Sequence, residues 1–366
     1  EPIKATKSNG NDTFFGAILE IRMAEQLKDH IKSILQRLKD IKIEKSEKTI
    51  LDAFIPIVLM HSENLEFFSE IVLAKYIFND STKNIKSKII TPLGKEAAAV
   101  TAGNLLFTRH KKIADETKKI LEEDYEIDSN EIFLELIKSA TDILVEKENF
   151  VDEINSWRFD FSVHFIDTNK KLAIDIAKVS LDKEKKVQNL THLSGLYRKI
   201  NKLKLARDLF LNFDIDTEKS DIQRGFMYEW GVIEGLIGNH ALNIWLAATS
   251  ISDWNYQISP DKERCVKSLT GISQASEKLN NQYNEFTQVI EASAILALKI
   301  APDDKNLHLQ KYVSSTMSPD EASQLFIKYI NNVWSYFDKN HELLKKIPNE
   351  KEMKFDRMLQ SFIKEK

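Results

Sequence analysis

The apolar residues of this chain recur every three or four positions rather than at alternate positions. The clearest stripe consists of Phe133, Leu136, Ile137, Ala140 and Leu144. This spacing places all five side chains on one face of an α-helix, the face that a globular protein buries. Comparable stripes, separated by short polar breaks, cover most of the chain. They predict helices of about 12 to 20 residues that come in pairs.

Several local features refine this pattern. Residues 1–12 are polar and predict a disordered segment, after which Asp12 can cap a first helix. The small residues at 97–103 predict a helix that a neighbour can approach closely. No Gly-Asn hairpin between alternating strands is expected. Ser318, with Glu321 three positions later, predicts the start of a late helix through a capping box.

Composition supports a helical globular protein. The 366 residues include only 10 Gly and 7 Pro, so few turns need them and long helices with short connections are favoured. Apolar residues make up 42% and charged residues 30%, which excludes the composition of a disordered chain. The most apolar stretch, residues 53–60, is too short to cross a bilayer and predicts a buried helical segment. We therefore expect no membrane contact.

Charge and cysteine content restrict the function further. Lys and Arg number 52 against 56 Asp and Glu, a formal net charge of −4, and the lysine runs lie beside acids. A nucleic-acid-binding protein would show a basic bias, so we expect no nucleic-acid partner. The single cysteine, Cys265, allows no disulfide within the chain and no cysteine-based zinc site. A reducing, cytoplasmic location fits best.

The sequence contains none of the local motifs that carry common chemistries. It has no phosphate-binding loop, dinucleotide-binding glycine motif, His-Glu-x-x-His pair or nucleophile elbow. Its eight histidines are scattered, without a pair at metal-ligand spacing. We expect no cofactor, no metal and no catalytic residue, hence not an enzyme. An enzyme whose site combines residues distant in sequence remains a third hypothesis.

One segment shows the spacing of a known helical repeat. Leu193, Ser194, Tyr197, Ala206 and Phe210 follow the pattern Leu-small-x-x-Tyr, eight residues, then Ala-x-x-x-Phe. Leu193 and Tyr197 would lie one turn apart on a first helix. Ala206 would lie on a second helix, where its small side chain lets the two helices cross closely while the large residues fill the space on either side. This pattern resembles the tetratricopeptide repeat (TPR). The resemblance implies an antiparallel helix pair, with Asn201 in the turn.

Neighbouring segments extend the resemblance and also depart from it. Trp157 stands at the opening aromatic position of a preceding unit, and Ala173 lies 33 residues before Ala206, close to the repeat length of 34. A following unit begins at Phe226, with Trp230-Gly231 at the Leu-Gly pair of the repeat, and its turn would contain Gly238-Asn239. The sequence departs from the repeat pattern at three positions. Asp160 stands where Leu is expected, and His164 and Glu234 stand where Tyr is expected.

The predicted fold is therefore all-α, an α-solenoid of paired antiparallel helices that is similar to TPR arrays. Four regions are expected along the chain. They are a disordered segment (1–12), an N-terminal helical region (13–150), TPR-like helical repeats (151–312) and a C-terminal helical cap (313–366).

A second resemblance concerns residues 226–253, which begin Phe-Met-Tyr-Glu-Trp-Gly. They are similar to a segment near the C-terminus of bacterial STAND-type antiphage defence proteins, where a repeat array senses the foreign trigger. This resemblance implies that the chain is the ligand-sensing part of a larger bacterial defence or signalling protein. It also implies attachment to, or assembly with, a signalling or effector module. The alternative is a stand-alone cytoplasmic adaptor or regulator that binds a short peptide.

Either function requires a surface that binds a protein or peptide. In arrays of paired helices the first helices line the concave face, and Arg and aromatic residues are common anchors of interfaces. By this register the predicted partner-binding residues are Arg158, Phe165, Arg198, Lys199, Tyr228 and Trp254. The competing interpretation is that the aromatic residues pack in the core and the basic residues are solvated.

Overall fold

In a computed structural model, the described residues of the chain fold mainly into α-helices. The residues that the structure describes are 24–65, 68–96, 99–102, 105–108, 110–146, 151–213, 221–254, 259–281, 286–302, 311–313, 316–337 and 346–363. Within them lie sixteen α-helices and one two-stranded sheet, so the all-α class is confirmed. The predicted disordered segment 1–12 and the helix start after Asp12 lie outside the described residues.

Two compact units make up the chain, residues Glu1–Glu184 and Lys185–Lys366. The boundary falls inside the region 151–312 in which the sequence predicts repeats. Across the described residues, no helix combines the length and apolarity that crossing a bilayer requires.

The first unit contains eight α-helices within its described residues. They are α1 (Ala24–Asp40), α2 (Ile50–Ser62), α3 (Glu70–Phe78), α4 (Thr91–Lys95), α5 (Lys111–Asp124), α6 (Ser129–Glu146), α7 (Val151–Phe165) and α8 (Lys170–Lys183). A π-helical turn, Lys86–Ile90, precedes α4. All residues at positions 53–60 of α2 are buried, in agreement with the interpretation of this apolar stretch. All five residues of the predicted stripe on α6 are also buried.

A β-hairpin replaces the helix that the small residues at 97–103 predict. Strand β1 (Ala99–Ala102) pairs antiparallel with β2 (Leu105–Thr108), with Ala102 opposite Leu105. The backbone N–H of Leu106 also donates to the carbonyl of Phe68 at 3.1 Å. Two expectations are therefore wrong: the helix, and the absence of a Gly-Asn hairpin, because Gly103-Asn104 connects the two strands. These two residues themselves lie outside the described residues.

The second unit also contains eight α-helices in its described part. They are α9 (Val187–Lys199), α10 (Leu203–Asn212), α11 (Asp221–Leu236), α12 (His240–Ile251), α13 (Lys262–Asn280), α14 (Thr287–Ile300), α15 (Pro319–Val333) and α16 (Asp356–Ile363). Consecutive helices from α9 to α15 pack against each other, and α9 also contacts α11, which contacts α13. The helix start at Ser318 has the predicted capping box with Glu321.

The residues of the proposed repeat occupy the interior of this unit. Leu193, Tyr197, Ala206 and Phe210 are all buried between α9 and α10. Asn201 in the connecting turn has a φ of 58°, the left-handed conformation that asparagine tolerates better than most residues. These positions therefore have the environments that the spacing predicts.

Glu234, which replaces the expected tyrosine, is fully buried near the end of α11. Its carboxylate accepts hydrogen bonds from Arg207 Nε at 2.8 Å, Trp230 Nε1 at 3.0 Å and Asn239 Nδ2 at 2.6 Å. A buried carboxylate is tolerated when charge and hydrogen bonds compensate it in this way. Glu234 thus joins α10, α11 and the turn before α12 through polar contacts.

Candidate functional site

The second unit contains an open groove of about 740 Å³ between α11 and α13. Tyr228, Val232 and Leu236 line it from α11, while α12 and the end of α14 contribute His240 and Ile300. Of the predicted partner-binding residues, Tyr228 lines this groove.

Two glycines on α11 explain how tightly α12 packs beside the groove. A Cβ atom on Gly231 would lie 3.2 Å from Leu246 Cβ and 3.3 Å from the backbone nitrogen of Ala247. Gly231 and Gly235 therefore allow a close crossing of α11 and α12. On the α13 side of the groove, a Cβ atom on Gly271 would meet nothing within 4 Å. The contact between α11 and α12 is therefore densely packed, whereas the space next to Gly271 in the groove is open.

The groove lining has the opposite charge to the whole chain. Three lysines and one glutamate line it, a formal charge of +2, on a chain whose formal net charge is −4. The lysines are Lys262 and Lys267 near the start of α13 and Lys278 in its last turn. Glu263 forms an ion pair with Lys267 one helical turn away. Between Lys267 and Lys278, the lining contains apolar side chains such as Val232 and Ala275 and uncharged polar ones such as Thr270 and Gln274.

Tyr228 brings a hydroxyl group to this lining. Burial raises its pKa above the ordinary value of tyrosine, and the nearby charge of Lys267 opposes that shift. The positive charges of Arg198 and Arg264 act on it in the same direction as Lys267. The hydroxyl is therefore a neutral hydrogen-bonding group at physiological pH.

His240 provides the titratable group of the groove that responds near neutral pH. Burial lowers its pKa, and the positive charge of Lys278 lowers it further. The ring is therefore neutral at pH 7 in the empty groove, and a negative charge near Lys278 would favour its protonation.

The predicted partner-binding residues of the second unit differ in their surroundings. Tyr228 lines the groove. Arg198 is one-third exposed and forms two hydrogen bonds with Glu229 of α11. Lys199 is exposed on the last turn of α9, and Trp254 is half-buried in the turn after α12. The structure thus brings Tyr228 and Arg198 together on adjacent first helices.

The two candidates of the first unit lie in its core. Arg158 is 2% exposed, and its guanidinium donates to Glu184 Oε2 at 3.1 Å and to Thr141 Oγ1 at 3.4 Å. Phe165 is 4% exposed and packs against Phe133, with ring centroids 5.2 Å apart. In this structure neither side chain presents a surface to a partner, because each is enclosed by neighbouring helices of its own unit.

Sequence reasoning missed the contribution of α13 to the groove. The lining residues of this helix form two adjacent series, each with a four-residue spacing, which places them along one face. The first series is Lys262, Val266, Thr270, Gln274 and Lys278, and the second is Glu263, Lys267, Gly271 and Ala275. The stripe mixes charged, polar and apolar side chains, so a search for apolar periodicity does not detect it.

Comparison of the chain with protein-family models, with curated proteins and with solved structures gave no match. The described residues contain no group of three or more His, Cys, Asp or Glu side chains placed to hold a metal ion. Burial raises the pKa of the Cys265 thiol to about 12, so this cysteine is protonated at neutral pH. The groove between α11 and α13 is thus the candidate site that geometry and chemistry favour.

Proposed function

We propose that this chain is a protein-binding helical domain whose groove between α11 and α13 holds a peptide segment of a partner. The observation that carries the proposal is the open groove itself, lined by apolar side chains between charged ends. Interfaces commonly combine an apolar centre with a polar rim in this way.

The shape of the groove favours a polypeptide ligand. Its lining follows α13 from Lys262 to Lys278, a distance of about 24 Å at 1.5 Å per residue. An elongated site of this length suits a chain that lies along the helix. The contacts of α9 with α11 and of α11 with α13 support a repeat array with a continuous binding face.

We further propose that the domain is the ligand-sensing part of a larger bacterial defence or signalling protein. This role rests on the resemblance of residues 226–253 to STAND-type antiphage proteins. Several residues of that segment, including Phe226, Trp230 and Trp245, are buried. These three side chains pack in the interior of the second unit, whereas Tyr228 from the same segment lines the groove. A stand-alone cytoplasmic adaptor would use the same groove.

Peptide selection with a groove-filling variant tests the binding role. We expect peptides selected from a displayed random library on the whole chain to bind Gly271→Trp at least tenfold more weakly. The indole would occupy the groove, since a side chain at position 271 starts in open space. Gly94→Trp is the matched control, because Gly94 is exposed in the first unit and its Cβ would also meet nothing within 4 Å.

The outcomes of this selection are decisive for the groove. Equal affinity of the wild type and Gly94→Trp, with weakened binding to Gly271→Trp, supports the proposal. Failure to enrich any peptide, or equal affinity for all three proteins, would overturn it. Sequencing of the gene upstream of the codon for Glu1 distinguishes the two roles. A nucleotide-binding core encoded there would favour the sensor over the stand-alone adaptor.

A further inference from the structure

We infer that the occupant of the groove is an extended segment of about seven residues with acidic side chains at both ends and apolar side chains between them. This inference rests on the proposed binding function and adds the chemistry of the partner. It follows from where the charges lie and how far apart they are.

The positive charges lie at the two ends of the groove. Lys262 and Lys267 belong to the first turns of α13, and Lys278 belongs to its last turn. Lys267 forms an ion pair with Glu263, whereas no ion pair formed by the described residues includes Lys278. A ligand carboxylate near Lys278 would therefore gain an ionic partner without displacing one.

The middle of the groove has a different character. Between Lys267 and Lys278 it has no charged side chain on α13, where Thr270, Gln274 and Ala275 line it, and Val232 lines it from α11. Leu236 is 56% exposed at one edge, an unusual exposure for a large apolar residue beside a groove. Apolar ligand side chains would remove this surface from water, at roughly 25 cal/mol for each Å² buried.

The spacing of the lysines determines the length of the ligand. Lys267 and Lys278 are eleven residues apart on α13, about 16 Å along the helix axis. An extended chain rises about 3.3 Å per residue, so about five residues separate side chains that reach these two lysines. The full lining, about 24 Å long, accommodates about seven residues.

An extended chain is narrower than a helix of about 10 Å diameter and can place alternate side chains into the groove, as peptides bound along a surface do.

Three matched peptide libraries test this inference with the full chain. Each contains fluorescein-labelled heptapeptides with three central positions drawn from Leu, Ile, Val and Phe, and two Glu, Gln or Lys residues at each end. We expect the Glu library to bind at least tenfold more tightly than the Gln library, and the Lys library to bind most weakly. Raising NaCl from 50 to 500 mM should weaken the Glu library most, because salt screens the lysines.

Charge reversal identifies the groups responsible. The variant Lys267→Glu/Lys278→Glu should lose its preference for the Glu library and bind the Lys library instead. Lys204→Glu changes an exposed lysine of α10 outside the groove and should behave like the wild type. If the double variant does not fold, as judged by circular dichroism, Lys278→Glu and Lys267→Gln are each tested alone, and each should reduce the preference.

The results separate this inference from the function on which it rests. Equal binding of the three libraries, with loss of binding to Gly271→Trp, would overturn the acidic ligand and leave the groove as the binding site. Tighter binding of the Lys library to the wild type would also overturn it. If none of the libraries binds and random selection also fails, the proposed function itself is wrong.

Discussion

The guanidinium of Arg198 forms a two-point ion pair with the carboxylate of Glu229. Nε donates to Oε1 at 2.7 Å and Nη2 donates to Oε2 at 3.3 Å. The pair joins α9 to α11, the first helices of two successive pairs, beside Tyr228 in the groove. Because Glu229 is 8% exposed, the arginine compensates a carboxylate that has largely lost its hydration. Arg198 therefore has a structural role in addition to any contact with a partner.

Removal of this arginine should lower stability. We expect Arg198→Ala to reduce the free energy of unfolding by about 1–2 kcal/mol, less than for a fully buried pair because Arg198 is one-third exposed. Lys199→Ala, at the exposed neighbouring position, should change it by less than about 0.5 kcal/mol. Urea unfolding of both variants provides the comparison. Equal effects of the two substitutions would show that the ion pair contributes little.

The close crossing of α11 and α12 predicts opposite effects of alanine at two helical glycines. Gly231→Ala should destabilise the protein by about 1–3 kcal/mol, since the new methyl group would press on the backbone of α12. Gly271→Ala should stabilise it by up to about 1 kcal/mol, because the methyl group finds open space and alanine favours the helix. Thermal unfolding measures both. A stabilising Gly231→Ala would contradict the close crossing.

Because the thiol of Cys265 is buried, we expect it to react slowly with thiol reagents. With a pKa of about 12, the thiolate fraction at pH 8 is about one in ten thousand, and only the thiolate is nucleophilic. We expect the native protein to react with Ellman's reagent at least a hundredfold more slowly than the same protein in 6 M guanidinium. As the chain has no other cysteine, the measured rate belongs to this residue alone. Rapid reaction of the native protein would place the thiol at the surface.

The helices were predictable because each depends on a local pattern. The stripe on α6, the capping box at Ser318 and the turn at Asn201 need only neighbours within a few residues. The hairpin at 99–108 was missed because alanine-rich segments favour helices. Here, pairing of β2 with the backbone at Phe68 and with β1 decides the conformation, and a local pattern does not contain such contacts.

The site was only partly predictable for the same reason. The repeat register suggested that Arg158 faces a partner, but Glu184, which it contacts, is 26 residues away and only the fold brings them together. Tyr228, which the sequence analysis selected from its position in the repeat register, lines the groove. Lys262 and Lys278 lie on one face of α13 with Val266, Thr270 and Gln274, a four-residue spacing that the sequence does contain, yet only the position of α11 shows that this face lines a groove.

The last prediction concerns His240, whose pKa is lowered by burial and by Lys278 in the empty groove. A ligand carboxylate near Lys278 would offset that positive charge and pair with a protonated ring, so binding should raise the pKa. A proton is then taken up on binding, and affinity for the Glu library should increase as the pH falls from 7.5 to 5.5. A rise of one pKa unit corresponds to a gain of at most about tenfold. Fluorescence anisotropy across this range measures the gain, and NMR of the His240 ring measures the pKa directly. His240→Gln should remove the dependence while the fold persists, since the ring is only half-buried. An affinity that decreases as the pH is lowered from 7.5 to 5.5 would contradict a carboxylate at this end of the groove.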